Sequence, residues 1–217
     1  MNINHLSKQN SVLNHFLIEL RDKHIQQDRW RFRQNLERIG EVLAYEMSKS
    51  LQFENKSIET VLGRHEKTVI QNELVICSIL RAGLPLHAGV SRMLDHVDNA
   101  YVSAYRTHNK ETHEFEIHLE YSATPDLNDK TLILVDPMLA TGHSLVEVYK
   151  ALAKKFRIKR LHVLVAIAAQ QGIDHLEANC PKETELWVAD IDQKLNEKGY
   201  IVPGLGDAGD LAFGPKL

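Results

Sequence analysis

Cysteine is scarce in this 217-residue chain, and the two present, Cys77 and Cys180, sit in or beside apolar segments. That placement reads as reduced thiols used as small hydrophobes and disfavours a disulfide framework. Long apolar runs are also missing. The longest, near Leu161 to Ala169, falls well short of the roughly 20 residues a membrane-spanning helix needs. Charge of one sign is not in excess either. The formal net charge is -3, so no overall basic field advertises nucleic acid or an anionic membrane. The opening MNINHLSKQN lacks the charged and then apolar pattern of a secretory signal. A soluble, cytoplasmic protein with no membrane partner is expected, and only local basic patches remain as candidates for nucleic acid. Neither the GxxxxGK[ST] of a P-loop nor the GxGxxG of a dinucleotide fold occurs. No long repeat or low-complexity tract is visible. With 43% hydrophobic residues, the chain can bury one substantial core.

What is there centres on Thr131 to Phe156, TLILVDPMLATGHSLVEVYKALAKKF. Leu132 to Val135 read as a buried strand that stops at Asp136-Pro137, where proline removes a ladder donor. Ser144 with Glu147 three residues later reads as a capping box. Leu145, Val148, Tyr149, Leu152 and Phe156 then share one helical face. A strand feeding such a turn aims unpaired N–H groups and the positive end of a helix dipole at one spot, which suits an anion. An ordinary helix start in an α/β protein has the same pattern. The contents of the loop decide: an acid at a strand end can accept hydrogen bonds from sugar hydroxyls, while Thr141, Ser144 and the amides between them can enclose a phosphate.

Around this stretch the pattern is α/β. Residues 1 to about 50 read as a helical arm, with Leu13, Phe16, Leu17 and Leu20 on one spacing and Leu36, Ile39, Leu43 and Met47 on another. Between them, Asp28 to Arg33 interleaves cations with aromatics. It reads either as a nucleic-acid grip or as a helix with Trp30 and Phe32 packed and its arginines solvated or paired. A polar passage covers residues 52 to 72. Leu74 to Leu80 is a second buried strand ending at Arg81-Ala82-Gly83, a helix begins near Leu84-Pro85, and Ala100 to Tyr105 is the next strand; strand, helix, strand signals a parallel sheet. His113 to Tyr121 alternates at period two and reads as the exposed strand of a hairpin over 107–125. That hairpin either covers a neighbouring site or is a plain edge. Its two histidines fall on opposite faces and do not suggest a metal. Leu161 to Ala169, a helix around Gly172 to Ala178, and Glu185 to Ile191 complete the sheet. The basic cluster Lys154 to Arg160 lies where a helix ends and reads as a solvated terminus. The tail GYIVPGLGDAGDLAFGPKL, rich in glycine but studded with apolar residues, reads as an ordered loop whose amides approach something closely.

VDPMLATGHS resembles the phosphoribosyl-pyrophosphate (PRPP) loop of the type I phosphoribosyltransferases, in the form seen in the uracil phosphoribosyltransferase family. SILRAGLPLHAGV from Ser78, AYR at Ala104 to Arg106, the tail GYIVPGLGDAGD and the arm RFRQNLERIGEVLAYE agree with that family in order. The resemblance implies one domain over residues 1–217: a mainly parallel twisted sheet flanked by helices, a helical arm at 1–50, a protruding β-hairpin at 107–125 and a base-binding tail at 192–217. It implies that Arg81 and Arg106 meet the pyrophosphate of PRPP, and that Asp136, Pro137, Met138, Leu139, Ala140, Thr141, Gly142, His143 and Ser144 hold its ribose and 5-phosphate. Ile201, Gly206, Asp207 and Ala208 would form the uracil pocket, with Asp207 also near PRPP. Asp207, Arg106 and Asp136 would carry the chemistry. The implied reaction joins uracil N1 to ribose C1', giving UMP and pyrophosphate, with Mg2+ entering mainly through PRPP and no metal ligand assigned on the chain. Apolar positions left over on the arm point to a homodimer or higher homo-oligomer. Two departures stand out: His143 occupies a position where this family commonly has glycine, and the segment before Leu74 looks shorter or altered. The rival readings are a phosphoribosyltransferase for another base and a PRPP- or nucleotide-sensing regulator that binds RNA or DNA.

Overall fold

Buried β-branched runs and amphipathic stretches alternate along the chain, and they form strands and helices in turn. In this computed structural model the described residues are 1–71, 73–108 and 115–216, with side chains described outside 104–120. The order is β1 (Asn2–His5), α1 (Leu13–Arg21), α2 (Arg29–Ser48), β2 (Phe53–Thr60), β3 (Gly63–Ile70), β4 (Leu74–Leu80), α3 (Leu84–Met93), β5 (Asp98–His108), β6 (Phe115–Ala123), β7 (Thr131–Val135), β8 (Met138–Leu139), α4 (His143–Ala153), β9 (Arg160–Ala169), α5 (Gln170–Asn179), β10 (Glu185–Asp192), β11 (Lys194–Leu195), β12 (Ile201–Val202) and α6 (Ala208–Phe213).

The central sheet runs β1-β10-β9-β7-β4-β5-β6, with β8 paired to β9. Only β6 is antiparallel, against β5. Successive residues of the middle strands are buried on opposite faces, as a parallel sheet covered on both sides requires. Ile76, Ile133, Val135 and Leu164 pack with Leu36, Ile39 and Leu43 of α2 and Leu86 and Val90 of α3. Val75, Cys77, Leu132, Leu134 and Val163 pack with Leu145, Val148 and Leu152 of α4 and Ile173 and Leu176 of α5. The chain leaves β4 through α3 to β5 on one side, and then proceeds from β7 outward on the other. The order therefore reverses between β4 and β7, and in open α/β sheets the crevice at such a reversal, beyond the carboxyl ends of the strands, is where ligands bind.

Three expectations need correction. Residues 1–50 are not all helical: Asn2–His5 is a parallel edge strand on β10, too short to show a period of its own. The polar passage at 52–72 holds an antiparallel hairpin, β2 with β3, in register from Phe53–Ile70 to Thr60–Gly63. Its residues are exposed on both faces except near the end of β3, so no hydrophobic alternation announces it. The capping box does not form, because α4 starts at His143 and its cap is Gly142, held at φ +82 without a side-chain bond. The 107–125 hairpin is β5 with β6, carrying a register shift at Ser103/Ala104; residues 109–114, His113 included, lie outside the described residues.

Candidate active site

The two chain segments that leave the sheet at its reversal point, after β4 and after β7, border one cleft of about 550 Å³. Gly142 is the reason the second segment can turn into a helix there. Its left-handed φ of +82 suits glycine, and a Cβ would lie 2.9 Å from the Gly172 carbonyl and 3.3 Å from His175. No side chain caps α4, so the positive end of its dipole faces the loop, an arrangement that suits an anion. Ser144, one turn position inside the helix, lines the cleft with its hydroxyl rather than serving as the cap. Met138 and Ala140 line it too, whereas Pro137 and Leu139 are buried. Pro137 accepts the Ala166 and Ile167 N–H groups through its carbonyl, and β8 locks the loop to β9 at Met138↔Ile167 and Leu139↔Ala168. The loop is thus fixed by sheet pairing from below and open above.

Asp136 lines the same cleft and accepts one hydrogen bond, from the Met138 N–H at 3.1 Å. Burial pushes its carboxyl up to about 7, with that bond opposing. An acid so poorly solvated has unmet acceptor capacity, which sugar hydroxyls satisfy. Arg81 borders the cleft from the β4 side. Its Nη2 donates to Asp210 Oδ1 at 2.9 Å and to the Gly214 carbonyl at 2.6 Å, while its buried Nε has no partner among the described residues. Opposite stands the tail: Ile201, Gly206, Asp207 and Ala208 all line the cleft. Ile201 and Ala208 are buried, and Asp207 caps α6 by accepting the Asp210 N–H at 2.9 Å. Gly204, at φ +57, closes the turn between them, and a Cβ there would collide with the Ile201 carbonyl.

Sequence comparison now decides the family. The model of the family described as uracil phosphoribosyltransferase matches residues 7–215. A uracil phosphoribosyltransferase of Porphyromonas gingivalis is 50% identical over 217 residues, covering 100% of both chains. This chain belongs to the uracil phosphoribosyltransferase family. A solved protein of Aquifex aeolicus shares 32% identity and a TM-score of 0.84 over 98% of both chains. A hypoxanthine phosphoribosyltransferase of Staphylococcus aureus, at 13% identity and TM-score 0.53 over 75% of this chain and 76% of its own, shares the fold. The architecture is therefore the type I phosphoribosyltransferase one, with the antiparallel hairpin and helical arm added to its mainly parallel sheet.

Within this uracil phosphoribosyltransferase fold, Arg81, Asp136, Met138, Ala140, Ser144, Ile201, Gly206, Asp207 and Ala208 share one cleft. Thr141, Gly142 and His143 form the turn beside it. His143, at the position where the family commonly has glycine, is exposed, and its ring stacks on His175 of α5 with centroids 4.5 Å apart. The side chain therefore leaves the backbone of the turn clear. Arg106 sits on β5 three positions beyond Ser103, the partner of Leu80 at the end of β4; its side chain lies outside the described residues.

Sequence reading missed several contributors. Arg21, on the arm, donates to Asp192 at 2.8 and 3.1 Å, to Asp190 at 2.7 Å, and to the Gly204 carbonyl at 3.0 Å. Asp192 in turn accepts the Gly204 N–H at 2.9 Å. An arm residue thereby clamps the turn of the C-terminal tail, a contact across 183 positions with no local sequence signal. Lys198 and Lys216 line the cleft beside the recognised tail motif. The two basic stretches, by contrast, largely meet carboxylates or packing. Arg157, Lys159 and Arg160 pair with Asp129, Glu73 and Glu185, Arg31 pairs with Glu19, and Phe32 is buried although Trp30 is exposed. Among the described residues no helix is long and apolar enough to cross a membrane.

Proposed function

We infer that this chain transfers the 5-phosphoribosyl group of PRPP to N1 of uracil, giving UMP and pyrophosphate. One observation carries the reading: the Asp136–Ser144 loop, Arg81 and the Ile201–Ala208 wall border a single cleft. In that cleft the first-turn amides of α4, with Ser144, hold the 5-phosphate, and Asp136 accepts the ribose hydroxyls. Uracil presents two carbonyl acceptors around one N–H donor, which the main chain of the tail can match. Cytosine would turn its amino group toward donors and leave buried groups unpaired. As N1 attacks C1', the N1 proton and pyrophosphate depart and positive charge builds on the ribose. The ionised Asp136 favours that charge, and Arg81, released from Asp210 and Gly214, would receive the leaving pyrophosphate with Arg106. Asp207 is proposed to orient N1. Holding the reactants in line supplies much of the acceleration, and the β5–β6 hairpin is proposed to cover the cleft and exclude water.

Magnesium is proposed to enter with PRPP, where it supplies charge neutralisation to the pyrophosphate. We also propose a cytoplasmic homodimer or higher homo-oligomer that does not bind nucleic acid.

The test is direct. Purified protein with Mg-PRPP and, separately, uracil, cytosine, hypoxanthine and orotate should yield UMP from uracil alone. No UMP overturns the reading. Turnover of another base instead would establish the rival specificity, and salt-sensitive RNA binding without turnover would establish the regulator.

A further inference from the structure

The stretch Asp136 to Ser144 contains no lysine or arginine, so its own positive potential comes only from amides and the dipole of α4. A full cation reaches that end of the cleft from another segment. β11 and β12 pair antiparallel, Leu195 with Ile201 and Lys194 with Val202, and residues 196–200 form the turn between them. Asn196 builds that turn. Its Oδ1 accepts the Lys198 N–H at 3.0 Å and the Tyr200 N–H at 2.9 Å; its own N–H donates to the Tyr200 carbonyl at 2.8 Å, and its carbonyl accepts the Gly199 N–H at 2.9 Å. Gly199 takes φ +78, and a Cβ on it would stand 3.7 Å from Thr141 Cγ2. The turn therefore leans on the Thr141 side of the phosphate loop, and Lys198 lines the cleft together with Ser144. Lys198 is exposed and forms no ion pair among the described residues.

We propose that Lys198 binds the 5-phosphate of PRPP and of UMP, supplying the full positive charge that the loop lacks. This rests on the transferase reading above. A phosphate dianion is held best by charge-assisted bonds, and an ammonium on a four-carbon stem reaches in from the exposed turn while the amides set the geometry. The same hairpin carries Ile201 of the base wall, so an anion seated against Lys198 also braces the strand that frames the base.

Calorimetric titration of UMP and of pyrophosphate into the wild type, Lys198→Ala and Lys198→Arg, with steady-state kinetics alongside, tests the assignment. Lys198→Ala should weaken UMP and raise the KM for PRPP by about 10-fold, with kcat altered less than about threefold. Pyrophosphate affinity should stay unchanged, Lys198→Arg should recover most of the loss, and the salt dependence of UMP binding should flatten in the alanine variant. UMP affinity within about twofold of wild type, or an equal loss for pyrophosphate, overturns the proposal. A wild-type protein that makes no UMP at all overturns the transferase reading instead, so the two failures are distinguishable.

Discussion

Asp136 and His162 are two side chains whose burial changes what they do with a proton between about pH 4 and 7. Burial raises the Asp136 carboxyl from 3.8 to about 7. The native state therefore keeps a proton that the unfolded state releases, and stability falls as pH rises from about 4 to 7, by on the order of 2–4 kcal/mol. His162 is 1% exposed, with Nδ1 accepting the Trp187 Nε1–H at 3.2 Å. Burial, assisted by Arg160, lowers it to about 4, so its contribution is intact above about 6.5 and is lost as pH falls toward 4, by about 3 kcal/mol. Between pH 4 and 6.5 the two slopes oppose each other. Asp136→Asn keeps an acceptor for the Met138 N–H and removes the desolvated acid. It should raise the thermal midpoint at pH 8, give a stability that climbs between pH 4 and 6.5 in denaturant titrations, and lower kcat by 100-fold or more. A midpoint unchanged from wild type at pH 8 would contradict the shifted carboxyl. Under the proposed transfer reaction, Asp136 is a site where stability is given up for chemistry, a pattern common to functional residues.

At the scale of elements, the cleft depends on contacts made far from it. The clamp from α1 to the tail makes Arg21→Ala a sharp probe. It removes the cation that Asp190 and Asp192 share, leaving Asp190 with Ser7 and His5 and Asp192 with the Gly204 N–H, so stability should fall by about 2 kcal/mol. The KM for uracil should rise by 10-fold or more while the KM for PRPP changes little; equal rises in both would place the clamp outside base recognition. A second probe lies where α2 crosses α3 with glycine on each side. A Cβ on Gly89 would run into the Glu37 carbonyl, and one on Gly40 into that of Leu86. Gly89→Ala should cost roughly 2–4 kcal/mol in denaturant unfolding. Because α3 begins directly after Arg81-Ala82-Gly83, turnover should fall as well.

How much of this was legible follows from where the signals live. The strands β4, β7, β9 and β10 and the helices α2, α3 and α4 announce themselves, because apolar runs of the right length buried on both faces leave few alternatives. Asp136 and Ser144 were legible as cleft residues because a strand-to-helix turn is local, whereas the Ile201–Ala208 wall was named only through the family resemblance. Three features were not legible. β1 is four residues whose meaning comes entirely from Glu185–Val188 beside it. The β2–β3 hairpin has no buried face to impose a period. Gly142 rather than Ser144 caps α4, since the loop's pairing to β9 fixes where the turn falls before capping preference can act.

On the scale of the whole molecule, the β2–β3 hairpin is the surface that does not fit a solitary chain. Val61 and Leu62 at its tip are fully exposed, and Phe53 and Ile58 are about half exposed. A two-stranded hairpin with no sheet behind it is marginal in water, and apolar side chains at such a tip favour burial against another copy. Light scattering coupled to gel filtration should give a mass of twice 24.7 kDa or a higher multiple, and Val61→Asp with Leu62→Asp should shift it toward the monomer. A monomeric wild type across the micromolar range would end this reading.

The edge strand β1 has one more implication, which concerns time. Its partner residues, from Glu185 to Val188, leave the ribosome some 180 positions after it, at about 5–20 residues per second. β10 must then insert between β9 and the waiting strand, so this side of the sheet, the Asp190 and Asp192 partners of Arg21, and the tail wall that follows all take shape only as the finished chain leaves the ribosome. Until then the flank of β9 is open to pairing with other nascent chains. The tail half of the cleft, Ile201 to Ala208, is therefore also the half that a stalled or shortened translation product never acquires.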